Sequence, residues 1–113
     1  MAIISNRRAG HVTTLDTANT TYNLTDFASP NTSVETVSAI SIVKIFWTGD
    51  WTIKRGATTV FQTANNTGVW DLNSAGMAIT ANSTANLVLS TASSSASIML
   101  NLGKTSTILT STY

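Results

Sequence analysis

Hydrophobic and polar positions alternate in short runs along this chain, and the longest run sets the frame for the others. It reads Val-Ser-Ala-Ile-Ser-Ile-Val-Lys-Ile-Phe-Trp-Thr-Gly-Asp-Trp-Thr-Ile-Lys-Arg, from Val37 to Arg55. At a period of two, Val37, Ala39, Val43, Ile45 and Trp47 share one face, and Ile40, Ile42 and Phe46 share the other. A strand apolar on both faces is covered on both, so the pattern predicts a central strand. Thr48-Gly49-Asp50 then supplies turn residues, and Trp51 to Arg55 alternates again. That predicts a β-hairpin with a short loop.

Shorter runs with the same period lie on either side. His11 to Leu15 and Thr21 to Asp26 read as strands, followed by the loop chemistry of Ala28-Ser29-Pro30-Asn31-Thr32. Beyond Arg55, the pattern predicts strands at Thr59–Gln62, Val69–Leu72, Met77–Thr80, Leu87–Leu89, Ile98–Leu102 and Thr107–Leu109. Turns are predicted at Gly56-Ala57, Ala64–Gly68, Asn73–Gly76, Ala81–Ser83, Ala92–Ser95 and Gly103-Lys104. The best helical window, Met77 to Leu89, has Asn82-Ser83-Thr84 in its middle, which a helix tolerates poorly. Roughly eight to ten short antiparallel strands punctuated this way predict an all-β fold, a single small β-sandwich or barrel. Trp47, Trp51 and Trp70 are its expected core, at least two of them buried together between two β layers.

The first ten residues read differently. Ile3 and Ile4 precede the first clear strand, Arg7 and Arg8 follow at once, and Gly10 permits a bend. This predicts an N-terminal arm over residues 1–10, outside a β-domain at 11–113. Ile3, Ile4, Arg7 and Arg8 are its expected contacts to a partner protein or a sister subunit, because apolar burial and bidentate arginine contacts both need a surface to meet. The alternative is an edge strand within the same domain.

Composition sharpens the β reading and thins the chemistry. Thr, Ser and Asn supply 45 of the 113 residues, while charged residues are only 10%, against about 25% in an ordinary soluble domain. Thr suits pleated strands, and Ser and Asn suit turns. A net charge of +1 leaves little repulsion between copies. Lys and Pro, the usual guards of strand edges, are scarce. Together these predict a symmetric homo-oligomer, a trimer first and a dimer next. With no cysteine there is no thiol chemistry and no disulfide. The start of the chain lacks the pattern of a secretory signal. The uncharged stretch from Leu72 to Gly103 is too rich in Ser, Thr and Asn to span a membrane as a helix.

Catalytic and binding constellations are not found. His11 is the single histidine, and the acids Asp16, Asp26, Glu35, Asp50 and Asp71 are scattered. Neither a triad, a carboxylate pair nor a metal-ligand cluster is suggested. Six basic residues with so little excess charge do not make a nucleic-acid groove. The expectation is a protein that is not an enzyme and uses no cofactor.

Several phrases carry a resemblance. They are Ala2-Ile3-Ile4-Ser5-Asn6-Arg7, the run from Trp47 to Ala57, Gly68-Val69-Trp70-Asp71-Leu72, Gly76-Met77-Ala78-Ile79, and Thr84-Ala85-Asn86-Leu87-Val88. The chain resembles small virion structural proteins of tailed bacteriophages, of the marine and cyanobacterial type. Residues 11–38 carry none of the resemblance. It implies a capsid decoration, or cement, protein that binds the major capsid protein on the outer shell, in a virion assembled in the host cytoplasm. The competing expectation is a tail-fibre or receptor-binding β domain that recognises carbohydrate through exposed tryptophans beside Asp or Asn. Burial of Trp47, Trp51 and Trp70 decides between them.

Overall fold

The computed structural model describes residues 3–6, 11–28, 34–72, 74 and 76–109. In chain order the strands are β1 (Ile3–Asn6), β2 (His11–Asp16), β3 (Thr20–Tyr22), β4 (Val34–Gly49), β5 (Thr52–Arg55), β6 (Thr58–Gln62), β7 (Asn66–Asp71), β8 (Leu87–Ser90) and β9 (Ser97–Leu109). A 3₁₀ turn at Leu24–Phe27 precedes β4, and the Asn23 N–H donates to Asp26 Oδ2 at 2.7 Å to close it. The strands form two antiparallel sheets, ordered β1-β2-β9-β4-β7 and β3-β8-β5-β6. This is the small all-β sandwich that the alternating pattern predicts. Its core is Val12, Tyr22, Phe27, Ile40, Ile42, Ile45, Trp51, Ile53, Leu87, Leu89, Ile98, Leu100 and Leu102, all essentially without solvent contact.

The long strand β4 is central, between β9 and β7, but for a reason other than two covered faces. Its register against β9 shifts between Val37 and Ala39 and again between Ile42 and Lys44. Each extra residue in a bulge reverses the side-chain parity beyond it. Val37, Ile40, Ile42 and Ile45 therefore all point inward and are buried, with Trp47 continuing their line. The apparent two-faced run is one buried face folded twice across the sheet.

Several predicted turns and strands are corrected. The strand predicted at Thr21–Asp26 ends at Tyr22 and gives way to the 3₁₀ turn, and the turn predicted at Ala64–Gly68 is already strand β7 from Asn66. Thr48-Gly49-Asp50 does not close a hairpin, because β5 pairs with β6 and β8 in the other sheet. The segment is a crossover, with Gly49 at φ 88° and the Trp51 indole N–H donating to the Thr48 carbonyl at 3.0 Å. Gly103-Lys104 is not a turn; β9 runs straight through it, with Gly103 opposite both His11 and Ser41. Met77–Thr80 is not a full strand. A two-bond bridge between Ile79 and Ile42 is the ladder there. The turn at Gly56, φ 63°, does join β5 to β6 as predicted.

The N-terminal arm is corrected for the residues described. Ile3–Asn6 is the edge strand of the five-stranded sheet, paired to β2 with an irregularity between Ile3 and Ser5. Ile3 packs against the core. The Asn6 amide donates to the carbonyls of Phe27 and Ala28 at 2.9 and 3.2 Å, and its Oδ1 accepts from Lys104 Nζ at 2.7 Å. These bonds satisfy polar groups inside the chain, so β1 belongs to the domain. Ile4 lies within β1, and Arg7 and Arg8 lie outside the described residues.

The tryptophans separate. Trp51 is buried, at 1% exposure, and Trp47 packs half-buried on the rim of the core. Trp70 is 44% exposed and is not a core residue. It lies on the inner side of β7, in line with Ile45, Leu100 and Thr14. β7 is the last strand of its sheet, so the outer rim of that indole has no neighbouring strand to cover it. Phe61 of β6 links the two rim indoles, edge-on to Trp47 at 5.5 Å and tilted against Trp70 at 4.8 Å between centroids.

Candidate interaction surface

The outward face of the five-stranded sheet is organised in rows that run across the strands. The register puts Leu15 beside Met99, Met99 beside Phe46, and Phe46 beside Val69. Four strands thus contribute one apolar side chain each to a continuous row on the face away from the core. Leu15 and Val69 at its two ends are exposed, Val69 to 56%. An open groove of about 250 Å³ follows this row and includes Thr48, Thr67, Gly68 and Ser97.

Polar rows flank it. On one side Thr13, Asn101, Lys44 and Asp71 are neighbours in the same register. The Thr13 hydroxyl donates to Asn101 Oδ1 at 3.0 Å. Lys44 Nζ lies 3.6 Å from Asp71 Oδ2 and 4.8 Å above the Phe46 ring centroid. On the other side Thr48 stands between Ser97 and Thr67. The face is therefore apolar in the middle and neutral at its borders, since its cation and its anion compensate each other. Surface pairs of this kind add little stability, on the order of 0–1 kcal/mol; here the pair cancels field.

Elsewhere among the described residues, titratable groups do not converge. A cleft of about 370 Å³ beside Asp50 and Trp51 holds one carboxylate, which accepts from the Thr91 hydroxyl at 3.0 Å. A smaller hollow of about 210 Å³ brings His11 near Lys44 and Asp71. The Asp71 carboxylate there is already engaged by Lys44 and by the Ser74 N–H at 3.1 Å. Among the described residues no cluster of three or more His, Cys, Asp or Glu could hold a metal ion. No described helix is long and apolar enough to cross a membrane.

Among the described residues, Arg55 and Asp16 are buried charged groups, and both are held structurally. Arg55 is 1% exposed. Its guanidinium donates to the carbonyls of Ile40 and Ser83 at 2.6 Å and of Ala85 at 3.0 Å. Loss of solvation lowers its pKa from the ordinary arginine value. It clamps β5 to β4 and to the loop before β8. Asp16 is buried beside the Tyr22 hydroxyl, which lies 2.9 Å from both carboxylate oxygens.

Sequence reasoning marks Trp47, Trp51 and Trp70, and the structure brings only Trp47 and Trp70 together, through Phe61. Ile3 and Ile4 sit in the opposite edge strand of the sheet. The row of Leu15, Phe46, Val69 and Met99 was not foreseen. Each of these residues is an unremarkable apolar position alone, and only the strand order puts them side by side. No protein-family model, no curated protein and no solved structure matches the chain.

Proposed function

We propose that the protein is a non-enzymatic structural component of a virion, a capsid decoration (cement) protein bound to the outer surface of the major capsid protein shell. The observation that carries this reading is the outer face of the five-stranded sheet. An apolar row between neutral polar borders suits docking by shape against another protein wall, and its compensated charges suit no reaction. The resemblance of the sequence to small virion proteins points the same way. In this reading Arg7 and Arg8, which follow the edge strand β1, reach the capsid.

The carbohydrate reading retains one observation, the exposed Trp70 beside Asp71. A sugar platform made of all three indoles is not available, because Trp51 is enclosed in the core.

Quantitative mass spectrometry of purified particles tests the proposal. The expected stoichiometry is comparable with that of the major capsid protein. A handful of copies per particle moves the protein to the tail, and its absence from particles refutes the reading. Phe46→Glu, placed in the middle of the apolar row, is expected to abolish decoration while the protein stays folded by far-ultraviolet circular dichroism.

A further inference from the structure

We infer that β7 is a pairing edge, and that its occupant is the β7 of a second copy of this chain related by a twofold axis at Val69. The inference comes from the ladder itself and is independent of any role on a capsid.

The hydrogen-bond phase of β7 is fixed at its end, where the Leu72 N–H donates to the Val43 carbonyl at 3.0 Å. Bonded pairs in an antiparallel ladder alternate. Gly68 and Trp70, like Leu72, therefore turn their backbone groups toward β4, and Thr67, Val69 and Asp71 turn theirs away; the Asn66 N–H donates to the Ala64 carbonyl at 2.8 Å. No described strand pairs on that outer side. Ser74 Oγ touches the Asp71 carbonyl at 3.3 Å, which leaves that oxygen a second lone pair.

The four sheet edges differ in how they are guarded. β1 carries an irregular register and spends the Asn6 side chain on Phe27 and Ala28. β3 has only three residues. β6 faces a register shift between Ile53 and Lys54. β7 pairs with β4 through six consecutive residues without a shift, and its sequence, Asn-Thr-Gly-Val-Trp-Asp, contains no Lys, Arg or Pro. It also exposes Val69 on one face and Trp70 on the other. Regular, unguarded and apolar edges are the ones that pair.

A second copy fits better than an unrelated strand. A twofold axis at Val69 opposes Val69 to itself, Thr67 to Asp71, and Gly68 to Trp70. The donors and acceptors of Thr67, Val69 and Asp71 then meet their complements. On the outer face the row Leu15, Met99, Phe46, Val69 continues into the same row of the second copy in reverse order. On the inner face Gly68 leaves no Cβ to obstruct the incoming Trp70; the Trp47 ring already lies over that glycine, so the two indoles become neighbours. The only charge on β7 is Asp71, and Lys44 of its own copy compensates it. Closure by a twofold axis also ends the assembly at two copies.

Sedimentation of the full chain at increasing concentration tests this, together with three variants. The wild type is expected to be a dimer that dissociates on dilution. Val69→Pro removes only an outward N–H and spares the ladder to β4, so it is expected to give a monomer with an unchanged circular dichroism spectrum. Val69→Cys is expected to yield a disulfide-linked dimer under mild oxidation, because the axis brings the position against itself. Thr80→Cys, in an exposed loop, is expected to stay unlinked. A wild type that remains monomeric at millimolar concentration overturns the inference. So does an oligomer that Val69→Pro leaves intact, or a Val69→Cys protein that links no faster than Thr80→Cys.

Discussion

Arg55 and Trp70 occupy the places that side-chain chemistry alone would give to each other. The guanidinium is enclosed at 1% exposure, and the largest apolar side chain type stands 44% open. The difference lies in what surrounds each. Arg55 ends a strand of the four-stranded sheet, where three carbonyls from β4 and the loop before β8 converge on its planar fork. Trp70 points into the sandwich from a strand that has a neighbour on one side only. Burial follows the supply of partners, polar for Arg55 and apolar for Trp70, more closely than it follows residue type. Where partners are missing for an apolar group, the surface invites another molecule.

Substitutions at the two sites are the sharpest way to break this contrast. Arg55→Met removes the clamp and strips donors from buried carbonyls, and about 3 kcal/mol of stability is expected to go; denaturant unfolding measures it. Arg55→Lys is expected to recover only part, since a point-like ammonium lacks the planar fork that meets three carbonyls at once. Trp51→Ala belongs with it as an enclosed site, at an expected loss of about 3–5 kcal/mol. A loss below about 1 kcal/mol at either residue would mean that the four-stranded sheet is not held as described.

Removal of Met1–Arg8 addresses the opposite edge of the same sheet. The deletion takes away the core contact of Ile3 and the Asn6 bridges, with an expected cost of about 2–3 kcal/mol. Thermal unfolding that is unchanged by the deletion would return β1 to the status of a dispensable arm.

Trp70→Ala is expected to cost only about 1 kcal/mol in the monomer, the worth of its contact with Phe61. A loss as large as that of Trp51→Ala would erase the distinction between core and edge. The smallest expected effect has the opposite sign. The Thr14 hydroxyl is fully buried without a hydrogen-bond partner. Thr14→Val keeps the shape and discards the orphaned group, so a gain of about 1 kcal/mol is expected by denaturant unfolding.

The strands whose parity is undisturbed could be read from the sequence. Ile98, Leu100 and Leu102 alternate in one register from end to end, and all three are buried. The β4 run could be recognised as a strand but not assigned faces, because two bulges change the parity between Val37 and Ile45 and no residue type in the run announces them. Thr48-Gly49-Asp50 carries hairpin chemistry, yet a glycine with positive φ serves a crossover between sheets equally well. Gly103 looks like a turn until its neighbours are known. Arg55 gives no sign of burial in a strand of alternating polar and apolar residues, since its three acceptors are carbonyls and carry no sequence signature. The candidate interaction surface was hidden for the same reason. Its row is a property of strand order, which periodicity does not report.

The position of β9 has a temporal consequence. It comes after every other described strand along the chain, yet it lies in the middle of the five-stranded sheet, between β2 and β4. While a ribosome is still adding residues 97–109, β2 has no partner on that side and β4 lacks its longest ladder. The larger sheet therefore cannot close until β9 has left the ribosome, and it then joins segments far apart in sequence. Such topologies fold in milliseconds to seconds, not microseconds, and their unpaired strands are open to association in the meantime. Scarce charge gives the nascent chain little protection over that interval, so its yield in a cell depends on how quickly β9 finds its place.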